Sequence, residues 1–308
     1  MNSATHDYTL CGWRLRSALE LPELAPWAGD DRDPELVFEL GEVPAEIDAT
    51  FRTPVVQANA AGTIRFAIDG VADYLVEDGD RIVIAPHLPA DSPDIRLFLL
   101  GTGLGFLCHQ RGLLPIHAAA IDVDGRAVMI AGASGAGKST LAAAFMRRGF
   151  RILSDDVAPL TIDRAEPVIL PSLKRIRLWH DSAQQAAWPV DMLEPCREDL
   201  AKFSHPLEAA HADAPLRPAA LIHLAAGVAG DDAITLKRLR GAPAVEAMRQ
   251  QTYRWRTLTG LLGRMGALQR VGAAAPLIPL HFELTRPVRY KRLDDTIDAI
   301  VQAVRAGS

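Results

Sequence analysis

Short alternations of apolar and polar residues dominate the first 92 positions. LVFEL at 36–40, TIRFAI at 63–68, DYLVE at 73–77 and RIVIAP at 81–86 put apolar side chains on one face with a period of two, which predicts strands. Ala61-Gly62, Asp69-Gly70 and Asp78-Gly79 punctuate these runs, and the last joins two alternating segments as a hairpin turn does. The pattern predicts a small antiparallel, β-rich N-terminal domain over residues 1–92. The proline-rich stretch PHLPADSP at 86–93 reads as a linker, and Ser92-Pro93 as the N-cap and first residue of a helix reaching about Gln110.

Beyond the linker, strands alternate with helices. LPIHAAAIDV at 114–123 and RAVMIAG at 126–132 read as two strands around the turn Asp124-Gly125, followed by a helix from Lys138 to Arg148 and a strand at 151–154. Further strands are predicted at 157–162, 219–225, 233–239 and 276–282, and helices at 243–265 and 293–305. This alternation predicts an α/β domain over residues 93–308. No internal repeat points to a solenoid.

Composition narrows the function classes. The chain has 308 residues, 49% hydrophobic and 23% charged, a globular profile with room for two domains. Cys11, Cys108 and Cys196 lie far apart, which excludes a disulfide framework and a cysteine zinc site. The start, MNSATHDYTL, lacks a secretory pattern, and Leu97–Cys108 is too short and glycine-rich to span a bilayer, so a cytoplasmic protein with no membrane partner is expected. The net charge of −5 is unevenly spread. Residues 1–92 hold 6 Arg, no Lys and 17 acidic residues, a net of −11, which leaves +6 on residues 93–308. An acidic first part disfavours nucleic acid, and the basic remainder suits a compact anionic ligand.

The chemistry concentrates in GASGAGKST: Gly132, Ala133, Ser134, Gly135, Ala136, Gly137, Lys138, Ser139 and Thr140. It matches GxxxxGK[ST] between an apolar strand and an amphipathic helix. The glycines let backbone amides converge on phosphate oxygens, Lys138 neutralises the terminal phosphates and Ser139 ligates Mg²⁺, so a Mg²⁺-nucleotide such as ATP is the expected ligand. Seventeen residues after Lys138 a strand ends in Asp155-Asp156. A phosphotransferase acting on an alcohol needs one carboxylate for the metal and gains from a second that accepts the hydroxyl proton. Lys174, Arg175 and Arg177 follow and are candidates for phosphate contacts. Residues 247–282 carry five arginines, Arg254 among them, and no acid, a surface that could hold an acidic peptide or equally a solvated helix face.

The stretch from Leu114 to Leu160, IHAAAIDVDGRAVMIAGASGAGKSTLAAAFMRRGFRILSDDVAPL at its heart, resembles the catalytic domain of HPr kinase/phosphorylase. More closely it resembles the shorter HPr-kinase-like kinases that accompany ribosomal peptide modification, including lasso peptide tailoring. LKRIRLWHD at 173–181, Lys202 in KFSHPL and QTYRW at 251–255 extend the resemblance. It implies a phosphate-loop kinase core related to that of phosphoenolpyruvate carboxykinase. It also implies Asp155 as proton acceptor, Asp156 beside the metal, and His117 on the strand before the loop, orienting Asp155. Thr140-Leu141 and LKRIRLWHD stand where the HPr enzyme has a glutamate and a Glu-Arg-Gly signature, which argues against HPr as the substrate. The expected activity is phosphorylation of a serine on a peptide or protein. A kinase for a small hydroxylated metabolite and a nucleotide-sensing module are the alternatives, and homo-oligomerisation is left open.

Overall fold

The computed structural model describes residues 5–179, 194–197, 200–225, 232–287 and 289–307. Two compact units emerge, residues 1–115 with 253–270, and residues 116–252 with 271–308.

In the first unit, β1 (His6–Leu10), β2 (Trp13–Ser17), β3 (Ala25–Pro26), β4 (Leu36–Leu40), β5 (Phe51–Arg52), β6 (Val56–Ala58), β7 (Ile64–Ile68), β8 (Ala72–Glu77) and β9 (Arg81–Pro86) form one sheet in the order β3-β1-β2-β4-β9-β8-β7-β6-β5. The expected antiparallel sheet is corrected to a mixed one, because β4 pairs in parallel with both β2 and β9. The Asp78-Gly79 hairpin stands, with β8 and β9 paired from Ala72↔Pro86 to Glu77↔Arg81. Ser92 caps α1 (Pro93–Phe98) by accepting from the Asp94 amide, and a π-helical turn at Leu99–Gly103 leads into α2 (Leu104–Gln110). This helical segment belongs to the sheet's core. Phe66 stacks on Tyr74 with centroids 4.3 Å apart, Phe106 meets Phe66 edge-on at 5.3 Å, and the Tyr74 hydroxyl donates to the Ile95 carbonyl at 2.9 Å. The unit therefore extends to Pro115 instead of ending in the proline-rich stretch at 86–93.

The chain passes through β10 (Leu114–Ile116) into the second unit. There β11 (Ala118–Val123), β12 (Arg126–Ala131), α3 (Lys138–Arg147), β13 (Arg151–Asp155) and β14 (Ala158–Leu160) follow in sequence. β15 (Arg175–Trp179), β16 (Glu194–Arg197) and β17 (Leu200–Pro206) form a three-stranded sheet in the order β15-β17-β16. After them come β18 (Arg217–Leu224), β19 (Thr235–Leu239), α4 (Ala242–Gln251), β20 (Leu280–Thr285) and α6 (Leu293–Gly307), while α5 (Trp255–Ala274), between α4 and β20 in sequence, belongs through Arg270 to the first unit. The main sheet runs β13-β11-β12-β18-β20-β19.

Three sequence expectations change here. The single strand over 114–123 is interrupted at His117, which lies in a bend between β10 and β11. The single helix over 243–265 is two, broken where Thr252 is extended and Arg254 takes a positive φ of 53°; α5 is kinked again at Gly263. The strand over 276–282 begins late, after a 3₁₀ turn at Ala275–Leu277, because Pro276 and Pro279 have no amide hydrogen to give a ladder. Among the described residues no helix is long and apolar enough to cross a membrane.

One core anchors α3. Leu141, Ala142 and Phe145 pack with Ile121, Ile130 and Ile152 of the sheet and with Ile297 and Ile300 of α6, whose apolar residues recur at helical spacing. Phe145 is fully buried and meets Phe150 edge-on at 5.2 Å. Phe145→Ala should cost about 3–5 kcal/mol in a denaturant titration, the usual result of deleting a buried aromatic ring.

Candidate phosphate-binding site

Strand direction collects the site at one sheet edge. β11 is antiparallel to both β12 and β13, so those two run the same way and end together; β18 and β20 are parallel to β12 and end there too. At that edge lie the loop after Ala131, Asp155 at the end of β13 with Asp156 after it, His117 before β11, and Arg286 after β20. Asp155 pairs in register with Ala119, and Ala119 with Ile130, which puts the end of β13 two strand spacings, roughly 10 Å, from the end of β12.

The glycine-rich segment closes the turn from β12 into α3. The Ala136 amide donates to the Ala133 carbonyl at 3.1 Å, and Gly137 forms the helix N-cap with φ 90°. A side chain at Gly137 would be strained by that φ and would also collide with Arg286, whose Nη2 lies 2.6 Å from an ideal Cβ. A Cβ on Gly132 would press on the Leu224 Cβ at 3.0 Å. Gly137 offers no side-chain cap, which leaves the first turn of α3 suited to an anion. Lys138 folds back over the loop, its Nζ donating to the Gly132 carbonyl at 2.9 Å and the Ala133 carbonyl at 3.2 Å.

The two aspartates are held differently. Asp155 is only 7% exposed, and its Oδ2 accepts the Arg177 main-chain amide at 2.7 Å. The Asp156 side chain is 26% exposed, with Oδ1 3.3 Å from His117 Nδ1 and Oδ2 3.7 Å from Arg177 Nη1. His117 Nδ1 is also 3.1 Å from the Asp156 carbonyl. Both partners are acceptors, so Nδ1 carries the proton. Asp156 adopts φ 143°, a conformation that non-glycine residues avoid. His117 itself is anchored by its amide to the Gln251 carbonyl at 2.7 Å. Its ring thus reaches Asp156, the neighbour of the Asp155 that the resemblance implied.

No family model matches the sequence, and no curated protein matches it. Among solved structures, the HPr(Ser) kinase/phosphatase from Coxiella burnetii is similar at 13% identity, over 62% of this chain and 93% of that one, with a TM-score of 0.30. Superposition at that level carries no argument about activity.

Other residues expected at the site are dispersed. Arg177 reaches the aspartate pair, but Lys174 Nζ pairs with Asp213 at 2.6 Å and Arg175 Nη1 donates to the Ser204 hydroxyl at 3.3 Å. Arg254 belongs to the first unit, where Nη2 donates to the Thr102 hydroxyl at 2.6 Å and the guanidinium covers the Tyr253 ring. Lys202 lies on β17 opposite Trp179 in the register, and its side chain is outside the described residues. Among the described residues no cluster of three or more His, Cys, Asp or Glu could hold a metal ion. A Mg²⁺ site here would therefore combine Ser139 and one carboxylate with phosphate oxygens, the usual way this ion is held.

Sequence reasoning missed two residues at this edge, Arg286 and His223; the available signal was their position at the ends of apolar strands. His223 pairs in register with Ala131, the residue before the loop. Its ring stacks on His281 with centroids 5.9 Å apart, and among the described residues neither of its nitrogens has a hydrogen-bond partner. Burial, reinforced by His281, pushes the His223 pKa down to about 3. An unfolded histidine protonates near pH 6.5, so between there and about pH 3 unfolding takes up a proton and stability falls as pH falls. In denaturant titrations at pH 7.5 and pH 4.5, His223→Gln should lose less stability on acidification than the wild type; an equal loss would show that His223 does not contribute.

Proposed function

We propose that this chain is an ATP-dependent kinase that transfers the γ-phosphoryl group to a seryl hydroxyl on a peptide or protein. The observation that carries the reading is one sheet edge bearing both a glycine loop that opens a helix and a carboxylate pair in contact with a histidine. The loop fits a nucleotide triphosphate. It has no side chains at Gly132 and Gly137, where a Cβ would crowd Leu224 and Arg286, and it carries a cation, Lys138, resting on loop carbonyls that it can leave. When bound, Mg²⁺-ATP supplies the phosphoryl group, with the ion screening charge on the phosphates. The loop amides and Lys138 would hold the phosphate chain, and Ser139 would supply a hydroxyl ligand to the ion.

The two carboxylates divide the remaining work. A base must reach the acceptor hydroxyl, and Asp156 is the more exposed of the two. The protonated Nδ1 of His117 orients its carboxylate, and Arg177 balances its charge. Asp155, enclosed and fixed by a main-chain amide, suits a metal ligand acting directly or through water. The proposal thus exchanges the roles that the resemblance implied for the two residues. A peptide acceptor, such as a ribosomal precursor peptide, follows from the resemblance to peptide-tailoring kinases and from the charge split between the two parts of the chain.

Incubation with Mg²⁺-ATP and serine-containing candidate peptides should add one phosphoryl group by mass, and Lys138→Ala should abolish both nucleotide binding and transfer. Asp156→Asn should keep nucleotide affinity and lose about 10² to 10⁴-fold in rate, the usual contribution of a general base. Asp155→Asn should chiefly raise the Mg²⁺ requirement in a metal titration. The opposite pattern would return the base to Asp155, and full transfer by both variants would remove the kinase site. Phosphorylation of small hydroxylated metabolites but no peptide would shift the acceptor class, and nucleotide binding without any transfer would leave a sensor.

A further inference from the structure

Arg286 follows the last residue of β20 and is 7% exposed. Among the described residues its one hydrogen bond is a long one, Nη2 to the Ala136 carbonyl at 3.4 Å, and no carboxylate lies within ion-pair distance. Arginines of similar enclosure in the first unit are treated differently: Arg14 faces Asp7 at 2.6 Å, Arg65 faces Asp73 at 3.0 Å and Arg96 faces Glu23 at 3.0 Å. A buried cation without a counter-charge is unfavourable, and burial accordingly pulls the Arg286 pKa below its ordinary value. The guanidinium occupies the space that a side chain at Gly137 would fill, at the first turn of α3.

We propose that Arg286 is a phosphate ligand of this site, its guanidinium meeting the terminal phosphates of a bound polyphosphate chain beside the amides of the glycine loop. The ligand supplies the missing counter-charge. The planar fork of a guanidinium matches two phosphate oxygens, whereas Lys138 acts as a point charge from the loop itself. Gly137 then has two functions, adopting a left-handed conformation and leaving an opening through which Arg286 reaches the phosphates. The inference rests on the nucleotide reading for the identity of the polyphosphate, and inorganic tripolyphosphate separates the two.

The test uses the full chain, with Arg286→Gln and Arg286→Lys, reading melting temperature and affinity for Mg²⁺-ATP and for tripolyphosphate. Without ligand, Arg286→Gln should melt at or above the wild-type temperature, because an uncompensated charge has been removed. Its affinity for both ligands should fall at least tenfold, and Arg286→Lys, which keeps the charge but not the fork, should lie between. An Arg286→Gln chain that melts well below the wild type, or fails to fold, would overturn the inference, since the residue would then be structural in the empty site. Unchanged affinities in that variant would overturn it as well, leaving the nucleotide reading intact. Arg286-dependent stabilisation by tripolyphosphate but none by ATP would keep Arg286 as a phosphate ligand and remove the nucleotide reading. A wild type indifferent to both ligands would end both.

Discussion

The candidate site depends on β11 running against both of its neighbours. Because β12 and β13 each pair antiparallel with it, they end at the same edge, and the parallel pairs β12-β18 and β18-β20 bring two more strand ends to that edge. Strand ends are where backbone amides and carbonyls leave the ladder and side chains can address a ligand instead of the next strand. The order across the sheet sets the chemistry in space. Carboxylates stand at β13, the loop and its helix N-terminus at β12, and a buried guanidinium at β20, two strands beyond the loop.

That edge is also where the structure departs from its lowest-energy habits. Among the described residues, Asp156 holds a φ of 143°, His223 keeps two ring nitrogens without partners, and Arg286 is enclosed without a carboxylate. Each is locally unfavourable, and each is tolerated because the sheet and α3 pack on a dense apolar core that includes Phe145, Ile121, Ile130 and Ile300. Strain and unsatisfied charge gathered on one face of a well-packed unit are the features expected where a ligand completes the site. In the first unit, Arg14, Arg16, Arg65, Arg81 and Arg96 each meet a carboxylate.

Local grammar explains what could be read without coordinates. The alternating runs at 36–40, 63–68, 73–77 and 81–86 became strands to within a residue, as expected for side chains sorted between a core and a solvent face. The pairs β1-β2 and β5-β6 were missed: the Trp13–Ser17 run that follows the Cys11-Gly12 turn is only five residues long, and β5 has two. The break at Thr252–Arg254 has no proline or glycine to announce it and depends on tertiary partners, the Tyr253 amide bonding the Pro115 carbonyl and Arg254 bonding Thr102.

What the sequence by itself determined was the set of chemical groups and their local frames. A glycine loop between an apolar strand and a helix, a strand ending in Asp155-Asp156 and a capped helix start at Ser92 all follow from short-range sterics and hydrogen bonding, which neighbouring residues dictate. Only the tertiary structure decided which groups share a site. It joined His117 to Asp156, sent Lys174 to Asp213, kept Arg254 in the first unit, and brought Arg286 to Gly137 across 149 positions of chain. Those choices depend on strand order and register, which arise from burying the whole sheet at once, and no local pattern around Arg286 records that its strand will lie two places from the loop.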